Sequence, residues 1–275
     1  MLNRSLRCCR QGLAVLATTI ALVAAASAGH AEPTAAMLAE FDPPLGVYHY
    51  SLEWANSVVA RADLRVSLDD DVYRVEVEGQ TEGIARRLYQ VRYRGEAAID
   101  AEDMSAIESV IVRDRDGRIR ETRTFFRPGE PVIVEETRRR PDKPTRQSVS
   151  EVEAGSGALD PFSLLFMARV VDWDVGVAER FEVVSGDDLW MVDLNCVDRV
   201  AIEVAGGERE AWIVIPTAEK VGEESDRPFV YEVALFVSAD SARDVLKVRT
   251  RTRVGTARLR LERFSPEPTS TERKS

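Results

Sequence analysis

The residue types that most often carry acid–base, nucleophilic or metal chemistry are scarce in this chain. Of its two histidines, His30 lies near the N-terminus, and His49 stands in the strand-like run VYHYSLEW with no nucleophile motif beside it. Beyond the first ten residues Cys196 is the single cysteine, and a lone thiol in a run such as DLNCVDR is more often buried than reactive. Zinc and copper sites need clusters of these residues, so the sequence predicts no metal site.

Acidic residues are abundant and leave two weaker hypotheses. Asp69, Asp70 and Asp71 are adjacent but lack the spacing of a calcium loop, so we expect them to form a solvated hairpin turn. A carboxylate such as Asp160 or Asp240 could serve a glycan hydrolase, which would need a second acid in the same cleft. The chain has no glycine-rich phosphate loop and no dinucleotide fingerprint, so no cofactor is predicted.

The last predicted hairpin has the most regular charge pattern. In LKVRTRTRV, cations occupy every second position and therefore share one strand face. These cations are Lys247, Arg249, Arg251 and Arg253. Arg258 and Arg260 on the returning strand extend the row, and because like charges repel, we expect acids such as Glu76 and Glu78 to oppose it as ion pairs. The alternative is a site for an anionic partner, such as a phosphorylated lipid head group or an acidic glycan.

The stretch LDPFSLLFMARVVDWD, residues 159–174, is the most apolar one beyond the N-terminus. Asp160 is placed to cap a helix that begins at Pro161, and Val170, Val171 and Trp173 return to strand character. The helix is apolar all round and must be buried, since its five large side chains contribute about 10 kcal/mol on burial. It either fills the core under a curved sheet or forms the wall of a pocket for an apolar ligand. The residues of that pocket wall would be Phe162, Leu165, Phe166 and Met167.

Strand signals dominate the rest of the chain. Alternating or β-branched runs between Val47 and Phe264 predict about a dozen antiparallel strands, with hairpin turns at Asp116-Gly117 and Pro128-Gly129. Residues 81–94 indicate a helical turn followed by a strand, and residues 138–148, with two prolines, indicate an exposed loop. The predicted fold is mainly β, a large curved antiparallel sheet or half-open barrel with one apolar helix packed against it.

The first 31 residues are typical of an export signal. Arg4, Arg7 and Arg10 precede an apolar run over residues 12–28, and A-x-A-like cleavage sites end at Ala28 and at Ala31. The run falls short of the about 20 residues that a membrane span needs, although an uncleaved anchor is the alternative. We therefore expect a periplasmic protein that is soluble after removal of its signal.

Charge and cysteine content narrow the class of protein further. Without residues 1–31 the chain carries 34 Lys and Arg against 47 Asp and Glu, a net charge of −13. This acidity argues against a general nucleic-acid binder, and one remaining cysteine allows no intrachain disulfide. The expected organisation is a signal peptide (1–31), a single antiparallel β domain (32–264) and a disordered tail (265–275).

Several of these stretches resemble the family of exported bacterial proteins catalogued as domain of unknown function 3108, from about Tyr48 to Phe264. The shared landmarks are ARADLRV, EGQTEG, LDPFSLL and the final block ALFVSADSARDVLKVRTRTRVGTARLRLERF. The family commonly has Trp where this chain has Phe236, often Pro near Val245, and Gly at Ala60. The resemblance implies an exported, mostly antiparallel β protein without an established enzymatic activity. A looser analogy links the predicted fold to periplasmic lipoprotein carriers, in which a half-barrel holds acyl chains under a helix.

The leading hypothesis is a non-enzymatic periplasmic protein. It would bind an apolar or amphipathic envelope component, such as a lipid, or assist envelope assembly together with an envelope protein. One alternative is a glycan-acting hydrolase that uses a carboxylate pair. Another is a structural partner of a membrane complex, which would make contact through the basic row or through residues 138–148.

Overall fold

A computed structural model describes residues 41–204, 206–222, 232–252 and 255–267. The predicted signal peptide, Arg253 and the end of the predicted tail lie outside these ranges. The helices are α1 (Gly83–Leu88) and α2 (Pro161–Val170). The strands are β1 (Gly46–Trp54), β2 (Ser57–Asp69), β3 (Val72–Thr81), β4 (Val91–Asp100), β5 (Ala106–Arg115), β6 (Arg118–Phe125), β7 (Val132–Arg140), β8 (Lys143–Val152), β9 (Ala178–Ser185), β10 (Asp188–Val204), β11 (Gly207–Lys220), β12 (Glu232–Ser238), β13 (Val245–Thr252) and β14 (Gly255–Pro266).

These strands form one antiparallel sheet of 14 strands, in the order β8-β7-β6-β5-β4-β3-β2-β1-β14-β13-β12-β11-β10-β9. Consecutive strands pair with each other, except for β8 and β9, and pairing between β1 and β14 joins the two halves. The end strands β8 and β9 are not paired with each other. Helix α2 nevertheless contacts both β4 and β9, which are far apart in this order, so the sheet wraps around the helix. This confirms the predicted half-open barrel with one apolar helix.

The tight turns follow the local chemistry of their residues. Asp70 has a φ of 52°, and Asp116 and Gly117 have φ values of 52° and 76°. Turns of this left-handed kind match the twist of the flanking strands and favour Asp and Gly. The predicted hairpins β2–β3 and β5–β6 are therefore confirmed, as are the short helix and strand within residues 81–94.

Two local predictions were wrong. Residues 138–148 form a hairpin rather than a loop, because β7 continues to Arg140 and β8 begins at Lys143. The segment is exposed, as its composition indicates, and Pro144 is tolerated because β8 is an edge strand.

The strand character predicted for Val170, Val171 and Trp173 is the second error. Val170 belongs to α2, and the residues directly after it do not form a strand. Trp173 instead folds back, and its indole Nε1 donates to the carbonyl of Ala168 at 2.7 Å.

Helix α2 begins as its sequence indicates. Asp160 is fully buried, and its carboxylate accepts hydrogen bonds from the amides of Phe162 (2.8 Å) and Ser163 (3.4 Å) and from the Ser163 hydroxyl. Burial raises the pKa of Asp160. Pro161 takes the first helical position, where a missing amide donor costs nothing. Neither described helix has the length and apolar character needed to cross a bilayer.

Candidate ligand-binding interior

The N-terminal half of α2 lies directly on β4. We call the face of the sheet that meets α2 the inner face. The Phe162 ring covers Gly95 so closely that a Cβ atom on Gly95 would lie 2.1 Å from Phe162 Cζ. Tyr93, two residues away on the same face, has its ring centroid 6.4 Å from that of Phe162. Gly95 is therefore the residue that lets the helix approach the sheet here.

An apolar cavity of about 90 Å³ adjoins this contact. Helix α2 contributes Phe162 and Leu165 to its wall, and apart from Arg61 all its lining residues are apolar or aromatic. From the sheet they include Tyr50, Leu52, Leu64, Val77, Tyr93 and Leu259. An empty space with such a lining stays dry and accepts apolar guests. Of the four residues of the predicted pocket wall, Phe162 and Leu165 border this cavity.

The other two residues of that wall lie where the interior is better filled. Phe166 adjoins a space of only about 20 Å³ and packs against Phe41 and Tyr73, with ring centroids 5.4 and 5.1 Å away. Met167 is buried in the core and lines neither space. The helix thus borders a cavity at its first turns and fills a core further along.

The C-terminal end of α2 is fixed by Arg169, which is only 4% exposed. Its guanidinium donates to the carbonyls of Ala242 (3.1 Å) and Arg243 (3.0 Å) and to the Tyr48 hydroxyl (3.1 Å), and it pairs with Asp244 at 3.4 Å. Burial, opposed by the charge of Arg169, raises the pKa of Tyr48 to about 12. These bonds hold the end of the helix against β1 and the turn before β13.

Asp240, one of the candidate acids for a hydrolase, belongs to the same turn. Arg209 bonds Asp240 at 2.7 Å and Asp244 at 3.1 Å. Although burial opposes it, hydrogen bonds from Arg209 and Ser238 hold the pKa of Asp240 below its ordinary value. The other candidate, Asp160, caps α2. Both carboxylates therefore have structural partners.

Arginines occupy one end of the inner face of β5 to β8, while Val132, Val134 and Val152 form a buried cluster toward the other end. Tyr93 on the inner face of β4 lies opposite Arg113 of β5, and residues directly opposite each other share a face. Arg113 lies opposite Arg120 of β6, which lies opposite Arg138 of β7. The same registers place six arginines on this face, Arg113, Arg115, Arg118, Arg120, Arg138 and Arg146. We call this set the inner arginine face.

Acidic partners for the inner arginine face are few. Glu136 of β7 accepts ion pairs from both Arg120 and Arg138. Within the part of the chain that the structure describes, the other four arginines of the set form no ion pair. Asp187, on the turn between β9 and β10, and Asp188, the first residue of β10, border the same region. Asp188 pairs with Lys220 at 3.0 Å. Positive charge is therefore in excess on this part of the interior.

A polar cavity of about 120 Å³ lies between this face and the β9–β10 turn. Its wall includes Ser109, Arg113, Arg120, Thr122, Thr124 and Pro161. Nε of Arg113 is shielded from solvent and has no hydrogen-bond partner among the described residues. Burial lowers the pKa of Arg113, and its Cζ atom lies 5.9 Å from the centroid of the Tyr93 ring, which also lines the apolar cavity. The two cavities share no lining residue, but residues of one adjoin residues of the other at Tyr93 and Arg113 and at Pro161 and Phe162.

The predicted basic row lies on the opposite, outer face of the sheet. Lys247 lies opposite Arg260, and Arg249 opposite Arg258, so cations face cations. Burial and the neighbouring arginines lower the pKa of Lys247, whose Nζ lies 4.7 Å from the centre of the Phe236 ring.

The acids expected to oppose this row are elsewhere. Glu76 and Glu78 pair with Arg65 (3.6 Å) and Arg94 (2.9 Å), because β3 is separated from β13 by three strands. That prediction was wrong. The row meets other acids at its ends, where Glu53 lies 3.8 Å from Arg260 and Glu232 lies 3.7 Å from Arg251.

The remaining reactive side chains have ordinary environments. Nδ1 of His49 lies 2.7 Å from the Asp63 carboxylate on the outer face, and Nε2 lies 3.2 Å from the Ser265 hydroxyl. Cys196 is buried, and burial raises the pKa of its thiol. Nowhere in the described ranges do three or more His, Cys, Asp or Glu side chains gather as a metal site would require.

Comparison with known proteins places this barrel-like chain in a family. The chain belongs to the family described as protein of unknown function DUF3108, whose model matches residues 49–262 and confirms the predicted resemblance. No curated protein matches it.

Similarity to solved structures concerns the fold alone. The chain is similar to a beta-barrel-like protein of domain of unknown function DUF1849 from Brucella abortus, with 10% identity and a TM-score of 0.50 over 82% of this chain and 98% of that one. Matches to the hypothetical protein CT021 from Chlamydia trachomatis (8% identity, 86% and 94% coverage, TM-score 0.29) and to lipoprotein LppX from Mycobacterium tuberculosis (10% identity, 85% and 97% coverage, TM-score 0.17) are too weak to carry an argument.

Sequence reasoning missed the inner arginine face, although a signal for it exists. In VRDRDGRIRE, Arg113 and Arg115 alternate before the Asp116-Gly117 turn, and Arg118 and Arg120 alternate after it. A two-residue hairpin places these four on one face. The positions between these arginines carry both apolar and acidic residues. The pattern therefore does not indicate whether the arginines or the residues between them face the interior of the sheet.

Proposed function

We propose that this protein is a non-enzymatic component of the bacterial cell envelope that binds an amphipathic molecule inside its barrel-like sheet. The apolar part of that molecule lies beside Phe162 and Leu165. The observation that carries the proposal is the apolar cavity between these residues and the inner face of the sheet. The export signal predicted over residues 1–31 supports a periplasmic location, where envelope lipids and their precursors are available.

The size of the cavity limits what the present conformation can hold. A cavity of about 150 Å³ lined by aliphatic and aromatic groups binds benzene, so the observed space accepts only a short length of hydrocarbon. A longer chain requires the interior to widen. Strands β8 and β9 are not paired with each other, so the sheet can widen between them at the cost of the short bridge between Leu159 and Val183 of β9 and its two backbone hydrogen bonds.

Binding can be tested with an apolar probe and a variant that fills the cavity. Ala62 lines the cavity from β2, and Ala62→Leu places extra methyl groups in it. Ala201→Leu makes the same change at an exposed position of β10 and is the matched control. We expect the neutral dye N-phenylnaphthylamine to bind the wild type and the control equally, and the Ala62→Leu variant about tenfold more weakly, as the loss of a well-packed apolar contact would give.

Native mass spectrometry of the protein purified from its own periplasm provides an independent measurement. We expect a co-purifying lipid or lipid-like molecule that is reduced in the Ala62→Leu variant. If no such molecule is found, and the dye either fails to bind saturably or binds both variants alike, the proposed function is wrong. Thermal unfolding of each variant distinguishes lost binding from lost folding.

A further inference from the structure

We propose that the inner arginine face binds the anionic head group of the guest molecule, with Arg113 making the main contact. This inference rests on the proposed function and names the class of ligand. The guest is an amphiphile that carries a carboxylate or a phosphate at the end of an apolar chain. Its chain lies in the apolar cavity and its head group lies in the polar cavity.

The charge of Arg113 is not balanced by an acidic partner among the described residues. Shielding a guanidinium from water is unfavourable unless an acid or several hydrogen bonds compensate it. Arg169, on the other side of the interior, has this compensation from Asp244 and two backbone carbonyls. Arg113 forms no ion pair among the described residues, and its Nε has no partner. An anion in the polar cavity would supply what is lacking.

Arg113 also lies next to a residue that lines the apolar cavity. Tyr93 lines the apolar cavity and has Arg113 against its ring, while the consecutive residues Pro161 and Phe162 line the polar and apolar cavities respectively. A chain that ends beside Phe162 therefore has its head group next to Arg113. The Arg113 guanidinium can bind a carboxylate or phosphate in a bidentate manner.

Positive charge continues from Arg113 along the exposed part of the inner arginine face. Arg115, Arg118 and Arg146 continue the inner arginine face and are exposed, whereas Arg113 and Arg120 lie deeper. A chain with an overall excess of acids thus has cations along one route into its interior. Such a row raises the local concentration of anions and speeds their association.

The test compares ligands that differ in the head group, of which oleate and oleyl alcohol share the same chain. Displacement of N-phenylnaphthylamine is measured with oleate, oleyl alcohol and dodecyl phosphate, and with free acetate and inorganic phosphate. We expect oleate to bind the wild type about tenfold more tightly than oleyl alcohol, as one charge-assisted pair would give. Free acetate and inorganic phosphate should not displace the dye.

The variant Arg113→Gln removes the proposed contact and keeps a polar side chain. It should bind oleate about tenfold more weakly and oleyl alcohol within about twofold of the wild type. Arg123→Gln is the matched control, because Arg123 lies on the outer face of the neighbouring strand and pairs with Glu121 at 3.0 Å. Its affinity for oleate should equal that of the wild type.

Unfolding measurements keep the inference falsifiable if binding is lost altogether. If Arg113 stabilises the fold, the Arg113→Gln variant should be less stable than the Arg123→Gln variant. If the charge of Arg113 lacks a partner in the free protein, the Arg113→Gln variant should be at least as stable. The first result overturns the inference. It is also overturned if oleyl alcohol binds as tightly as oleate, if Arg113→Gln retains the affinity for oleate, or if inorganic phosphate competes as strongly as dodecyl phosphate. In these cases the proposed function would still stand if the dye binds the wild type and Ala62→Leu blocks that binding. If neither the dye nor any of the long-chain ligands binds, both the proposed function and this inference are rejected.

Discussion

The two halves of the interior differ in chemistry although they belong to one continuous sheet. On the inner face of β1 to β4, residues such as Leu64 and Val77 face α2 and form the core. On the inner face of β5 to β8, Arg113, Thr122 and Glu136 form a polar region, while Val132, Val134 and Val152 form a separate, smaller buried cluster. We call the first half apolar and the second half polar, because only the second combines its apolar cluster with charges and an open polar space.

This contrast shows where stability and binding reside. Burial of apolar area is the main favourable term in folding, so substitutions in the apolar half should be costly. Charges without partners add little to stability, so substitutions in the polar half should alter binding more than folding. Stability measurements on both halves can therefore test whether this difference holds.

The largest loss is expected from Arg169→Met in the apolar half. The substitution removes four interactions of a buried guanidinium and leaves Asp244 with Arg209 alone. We expect a loss of about 3 kcal/mol in the free energy of unfolding, measured by urea denaturation. Arg61→Met, at an exposed ion pair with Glu82, is the control and should change it by less than about 1 kcal/mol. Equal effects of the two would show that the end of α2 is not fixed as described.

A smaller loss is expected from Gly95→Ala. The new methyl group would overlap the Phe162 ring, and overpacking of this kind costs about 2 kcal/mol. Gly157→Ala is the matched control, since a Cβ atom there meets nothing within 4 Å. Because neighbouring substitutions couple, Phe162→Leu added to Gly95→Ala should recover part of the loss. A Gly95→Ala variant as stable as the control would place Phe162 away from β4.

The smallest effect on stability is expected in the polar half. The Arg113→Gln variant described above should unfold at the same denaturant concentration as the wild type or a higher one, although its affinity for oleate falls. A loss as large as that of Arg169→Met would remove the distinction between the two halves.

Local chemistry in the sequence predicts much of this fold. Asp160 followed by Pro161 indicates where α2 begins, and Asp116-Gly117 indicates a hairpin, because both depend on backbone preferences of adjacent residues. The hairpin formed by β7 and β8 was missed because an exposed edge strand needs no apolar alternation.

The long-range features could not be read in this way. Glu76 and Glu78 were expected to oppose the basic row, but pairing between β1 and β14 separates their strand from it. The position of Arg113 on the inner face likewise depends on how the sheet curves around α2. Neither the order of distant strands nor the direction of curvature is encoded in local patterns, so the candidate site was found only in part.

Photo-crosslinking with a fatty acid that carries a diazirine in the middle of its chain shows where a guest molecule binds. We expect covalent adducts in the peptide that contains Phe162 and Leu165, or on inner-face residues such as Leu64, and we expect oleate to suppress them. Adducts confined to the outer basic row around Lys247, or labelling that oleate does not suppress, would contradict a guest bound inside the sheet.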